Sequence, residues 1–147
     1  MANLLQIMDN KGMNLLTALI PKAEVAVLDG GDSLRAAIQK MAHHHYANIP
    51  VLSGQGHYLY SIATGDILFY LVENDMTLKE MEQVPLEVVP IHRPLMALSV
   101  NASEEEVENA VLNQNYVPFV DERGIFIGII TRRGLFQALS RHEASRE

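Results

Sequence analysis

"ANIPVLSGQGHYLYSIATGDILFYL", residues 47–71, is echoed by "NYVPFVDERGIFIGIITRRGLFQAL", residues 115–139. Pro50 and Pro118 each sit in a short apolar segment. A polar turn containing Gly56 or Gly124 follows. An apolar strand then runs to Thr64 or Thr131 and on into a helix. The prolines lie 68 residues apart and the threonines 67, so one residue of loop difference reconciles the copies. Similarity at a fixed period is the mark of an internally duplicated architecture.

The repeat extends upstream. In the first copy Leu34, Ala37, Ile38 and Met41 recur at i, i+3, i+4 and i+7, which is one apolar helix face, and Asp32 or Ser33 caps its start. In the second, Ser103 and Glu106 have capping-box spacing, and Val107, Ala110 and Val111 form the inward stripe. β-prone runs precede both, "EVAVL" at 24–28 and "LMALSV" at 95–100. Each copy therefore reads strand, helix, strand, strand, helix. "NDMTLKEMEQ" between them predicts a short helix capped by Asn74 or Thr77. The leucines Leu15, Leu16 and Leu19 predict a leading helix ended by Pro21. About fifty residues bury little alone, but two copies packed sheet to sheet share one core. The expected fold class is α/β (α+β), two pseudo-symmetric β-α-β-β-α motifs. The expected boundaries are a helical segment at 1–19, a first motif at 20–72, a connector at 73–85, a second motif at 86–141 and a tail at 142–147.

Composition excludes several function classes. The chain has 147 residues, 48% of them apolar and 20% charged, as in a globular protein. It has no cysteine, which rules out disulfides and thiolate metal sites and is compatible with a reducing, cytoplasmic setting. A net charge of −7 argues against wrapping a nucleic-acid backbone, though not against a small anion held by a local basic spot. No charge-free run approaches the roughly 18–20 residues of a membrane helix. A basic n-region followed by an apolar h-region is also missing, so neither membrane insertion nor secretion is expected.

The paired "IPVL" and "VPFV", followed by "GIITRRGLF" at 128–136, resemble the CBS-domain family over about residues 20–141. Two such motifs in tandem form a Bateman module. The resemblance implies two clefts between the repeats, a dimeric disc, adenosine-containing ligands and a sensing rather than catalytic role. It also implies crosswise construction. One cleft would take Ala26, Val27, Tyr46, Ala47, Asn48 and Ile49 from the first repeat, with Thr131, Arg132 and Arg133 from the second. Its mirror would take Leu98 or Val100, Tyr116 and Val117, with Thr64, Gly65 and Asp66.

Charge separates the two clefts. In "TRRG" a threonine caps a helix whose first turn carries two arginines, so free N–H groups, the helix dipole and guanidinium forks converge in a place suited to phosphate. The plain alternative for either arginine is solvated surface charge. "TGDI" offers an aspartate and no cation, so one competent cleft and one poor one are expected. Nucleotide-binding members of the family often carry an aspartate three residues after the threonine, where it accepts the ribose hydroxyls. Counted from Thr64 and Thr131, those positions hold Ile67 and Gly134. A cyclic dinucleotide, its 3′-oxygens tied up in phosphodiesters, needs that aspartate less. It needs phosphate donors and flat walls for adenine, which Tyr46, Ile49 and the backbone near Ala26 supply. "Y-x-x-I-P" at 46–50, "TRR" and the "ALSRH" tail are similar to small stand-alone bacterial CBS proteins that bind cyclic di-AMP. That ligand is expected, with AMP, ADP or ATP as the alternative, and no cofactor. A homodimer acting on an unidentified regulated protein follows from the same resemblance, with a ligand-free interaction scaffold as the other reading.

His43, His44 and His45 cannot all reach one ion from regular structure, because neighbours on a helix point about 100° apart. The i, i+4 spacing of H-E-x-x-H is absent. The triplet reads as a helix C-terminus, where histidine suits the dipole, with His45 close enough to the cleft mouth to make affinity pH-dependent. Gly54 and Gly56 read as a hairpin turn rather than a phosphate loop. A small hydrolase using the histidines with Asp32 or Asp66 lacks any nucleophile elbow, metal pair or acid/base spacing.

Overall fold

The computed structural model describes residues 15–146. Among them are two sheets and five α-helices, in two compact units, one formed by Ala26–Pro94 and the other by the residues up to Val25 together with those from Leu95 onward. The mixed α/β class expected from the repeats is what the chain adopts.

In the unit Ala26–Pro94 the elements run β2 (Leu28–Asp29), α1 (Leu34–His44), β3 (Asn48–Leu52), β4 (Tyr58–Ala63), α2 (Thr64–Asn74) and α3 (Leu78–Met81). The sheet order is β2-β3-β4, with β2 parallel and β4 antiparallel to β3. Ser33 caps α1, its Oγ accepting the Ala36 N–H at 3.1 Å. Leu34, Ala37 and Met41 are buried, as their spacing predicts. Thr77 caps α3 by accepting the Glu80 N–H. The connector folds back onto this unit, with Leu34 N–H donating to Val84 O and Leu86 N–H to Asp32 O.

In the other unit β1 (Ile20–Pro21) precedes β5 (Leu98–Ser99), α4 (Glu104–Asn113), β6 (Tyr116–Val120), β7 (Phe126–Thr131) and α5 (Arg132–Arg146). The sheet order is β1-β7-β6-β5. The leading helix is expected to end at Pro21. Its residues 1–14 lie outside those described, and the described part is a short 3₁₀ turn, Leu15–Ala18, giving way to a strand at Ile20. That strand pairs with β7 of the second repeat, Pro21 opposite Gly128. The runs 24–28 and 95–100 yield only two-residue strands. Each reaches only the two residues after the proline of its neighbour: Leu28 and Asp29 face Val51 and Leu52, and Leu98 and Ser99 face Phe119 and Val120. Pro50 and Pro118 therefore sit in central strands without owing that neighbour an N–H.

The duplication is closer than the threonines suggest. Ser53 N–H donates to His57 O and Gly56 N–H to Ser53 O; Asp121 to Ile125 and Gly124 to Asp121 are the same bonds 68 residues on. Gly56 (φ 89°) and Gly124 (φ 83°) take the left-handed position that such bulged turns require. The ladders match as well, Asn48 opposite Ala63 and Tyr116 opposite Thr131. Thr64 N–H donates to Ala47 O at 2.9 Å, and Arg132 N–H to Asn115 O at 2.9 Å. The 67-residue pairing of threonines is therefore corrected. Thr131 is the counterpart of Ala63, Thr64 is the counterpart of Arg132, and no loop difference exists. The two threonines sit on opposite sides of the strand–helix junction, which identity of residue type alone does not reveal.

Candidate functional site

The two second helices begin in complementary ways. At the head of α5 the Thr131 Oγ1 accepts the Gly134 N–H at 2.9 Å. At the head of α2 the N-cap is Ala63, which has no side-chain acceptor, and Asp66 instead reaches back so that its Oδ2 accepts the Ala63 N–H at 2.9 Å. Each repeat thus keeps one half of a capping box. Gly134 suits its half, because a Cβ there would lie 2.7 Å from the Thr131 hydroxyl.

Asp66 is 6% exposed and bonded on both oxygens. Its Oδ1 accepts the His92 N–H at 3.1 Å and lies 2.9 Å from His92 Nδ1. Burial works against its ionisation, but the bonds from Ala63 and His92 and the nearby imidazole outweigh burial and hold the carboxyl below its usual range. The aspartate expected to be missing three residues after the helix cap is therefore present in the first repeat. Counted from Ala63 rather than Thr64, the position is Asp66, not Ile67.

The first helices also end differently. Helix α1 closes on His45 in the left-handed region (φ 57°), and His43 and His44 occupy its last turn, as the sequence predicts. Tyr46 follows, 46% exposed and stacked on His44 at 5.9 Å. Helix α4 closes on Gln114 in extended conformation. The Gln114 side chain is occupied: Oε1 accepts the Met96 N–H, and Nε2 donates to the carbonyls of Met96 and Tyr116.

Each exit, with the helix head beside it, lines a cavity in its own unit. In the first, of about 640 Å³, Tyr46 and Ala47 meet Thr64 and Gly65 over an apolar wall including Met41, Ile67 and Leu71. In the second, of about 970 Å³, Asn115 meets Thr131, Arg132 and Arg133, with Gln137 and Arg141 farther along α5. The lining of the first carries no arginine, and that of the second carries three and no carboxylate.

The family model for the CBS domain matches residues 17–73 and again 87–141. The chain belongs to the CBS-domain family. No curated relative matches it. Among solved structures, CbpB in complex with c-di-AMP is 22% identical with a TM-score of 0.78, covering 90% of this chain and 89% of that one. CbpB of Listeria monocytogenes in complex with c-di-AMP is 22% identical (TM-score 0.76, 88% and 97% covered). CbpB of Streptococcus agalactiae is 20% identical (TM-score 0.80, 100% and 94% covered). At these identities the likeness is one of fold.

Within this pair of CBS domains, Ala26 and Val27 are half-buried just before β2, and Asn48 is half-buried at the start of β3. Ile49 is 1% exposed and belongs to the core of its unit, so its side chain offers no free wall. Tyr116 is 8% exposed, in contrast to Tyr46. Arg133 is exposed. Arg132 is not a loose arm: Nε donates to Val111 O at 3.0 Å, and Nη2 to Leu112 O at 3.3 Å and Gln114 O at 3.1 Å. The free N–H crown expected at the head of α5 is also reduced, since Arg132 N–H and Gly134 N–H already have acceptors.

Sequence reading missed His92, Gln114 and Arg141. His92 and Gln114 act across 26 and 18 residues, where no local pattern points. Arg141 carried a signal, for it follows Arg133 by eight residues, with Gln137 midway, along one helical face. Among the described residues no group of three or more His, Cys, Asp or Glu is placed to hold a metal ion, and no helix is long and apolar enough to cross a membrane.

Proposed function

We propose that this tandem CBS protein is a nucleotide-sensing regulatory module whose ligand is cyclic di-AMP. The phosphates meet the head of α5, at Thr131 and Arg133. The adenines meet Tyr46, Ala47, Asn48 and the backbone at Ala26, Val27 and Ile49. That these two sets belong to one crosswise cleft is what the family resemblance implies. The module works as a homodimer in the cytoplasm and has no catalytic step. Ligand stabilises one arrangement and so changes, by mass action, which protein partner is held.

The observation that carries the reading is the difference between the two helix heads. One presents a threonine cap and an exposed Arg133 in a cavity lined by arginines, and the other buries a carboxylate. An anion is attracted to the first and repelled by the second. The fold likeness to CbpB, solved with c-di-AMP, supports the ligand class. AMP, ADP or ATP is the runner-up. Against it, the carboxylate that would accept a ribose diol is Asp66, which is already engaged by Ala63 and His92.

Thermal-shift measurement with cyclic di-AMP, AMP, ATP and a buffer blank tests the reading. Stabilisation by the cyclic dinucleotide alone is expected. A shift with AMP or ATP but not with the cyclic dinucleotide transfers the site to the runner-up. No shift with any nucleotide leaves a ligand-free scaffold.

A further inference from the structure

The two repeats solve one problem in two ways. A helix leaves its last carbonyls without intrahelical donors, and a residue in the left-handed region is the common remedy. Helix α1 has it in His45. Helix α4 does not, because Gln114 is extended and only two residues separate Asn113 from β6. Two of the last carbonyls of α4 are met from elsewhere in the chain. The Arg132 guanidinium donates to Val111 O and Leu112 O in the last turn and to Gln114 O in the exit. Its own N–H donates to Asn115 O, the next carbonyl along. One residue thus fixes four acceptors between 111 and 115. Its counterpart Thr64 makes the same backbone bond to Ala47 but brings no cation.

We infer that Arg132 is a positioning residue. It is an arginine cap that locks the end of α4 to the head of α5, and it leaves anion recognition in this cavity to Arg133 beside it. A planar guanidinium spreads its donors over a rigid fork that reaches separated carbonyls, whereas the three donors of an ammonium radiate from a single nitrogen. The positive end of Arg132 also complements the negative end of the α4 dipole. The two adjacent arginines of "TRR" thereby divide into a strut and an arm. The strut holds whatever the ligand is; the arm rests on the nucleotide reading above.

The test uses the full chain with Arg132→Ala, Arg132→Lys and Arg133→Ala. Hydrogen exchange without ligand comes first. The amides of Gln114 and residue 132 exchange at least tenfold faster in both Arg132 variants and at the wild-type rate in Arg133→Ala. Binding of cyclic di-AMP is then titrated between 50 and 500 mM salt. Arg133→Ala lowers affinity tenfold or more and flattens the salt dependence, because an ionic contact is gone. Both Arg132 variants weaken binding but keep the wild-type salt dependence, and lysine does not rescue. Wild-type exchange in the Arg132 variants overturns the strut. Rescue by lysine with a flattened salt dependence in Arg132→Ala overturns the division of labour. If the wild type binds no cyclic dinucleotide, the nucleotide reading and the arm fail, while exchange still decides the strut.

Discussion

Asp66 holds His92 twice, through the backbone N–H at 3.1 Å and the ring Nδ1 at 2.9 Å. The head of helix α2 is thereby fastened to the last stretch of the unit Ala26–Pro94. In the same stroke the carboxylate caps its own helix through Ala63. An aspartate that the sequence presents as a deterrent to phosphate is a structural tie.

Removing that tie is costly and depends on pH. Asp66→Asn loses about 2 kcal/mol of stability at pH 7, the worth of a charge-assisted bond and a helix cap. The folded-state pKa of Asp66 is depressed, so its contribution is present above the unfolded value near pH 3.9 and is lost as pH falls through the folded value. Urea denaturation from pH 7 down to pH 3 therefore shows the gap between wild type and variant narrowing as the pH drops. A constant gap refutes the charged tie.

Gly128 is the point where β1 meets the second repeat. A Cβ there would stand 2.3 Å from the Ile20 carbonyl oxygen, and the residue has φ 155°. Gly128→Ala destabilises by about 2–3 kcal/mol, the usual scale of overpacking. Gly54→Ala is the control, since nothing lies within 4 Å of its added methyl. Equal melting temperatures for the two variants contradict the pairing of Ile20 with Ile129.

His45 occupies a position that favours glycine. Its φ of 57° ends helix α1 in the left-handed region. His45→Gly raises stability by about 0.5 kcal/mol in thermal melts. If the imidazole also faces the ligand, the pH dependence of nucleotide affinity between 5.5 and 8 changes in the same variant. A fall in stability argues that the ring has a structural partner.

Most of the fold is written in local pattern. The Leu34, Ala37, Met41 stripe, the Ser33 and Ser103 caps and the two hairpin turns each follow from spacing and residue type. The Thr64–Thr131 pairing misleads because capping is a function of position, and position is fixed by ladder register: Thr131 lies opposite Tyr116, Ala63 opposite Asn48. The site is less legible. The sequence marks Arg132 and Arg133 as equals, and only the closeness of 111–115 to the head of α5 separates them. Tyr46 is exposed in the loop before β3, while Ile49, three residues on, is buried in a strand whose Ile49–Leu52 are all buried, a difference set by tertiary packing and not by alternation.

The most direct measurement is a crystal structure of the chain with cyclic di-AMP bound. The account predicts density for a phosphate within hydrogen-bond distance of Arg133 at the Thr131 helix head, with an adenine against Tyr46. A nucleotide seated instead at the Thr64–Asp66 head, with Arg133 facing solvent, would contradict it.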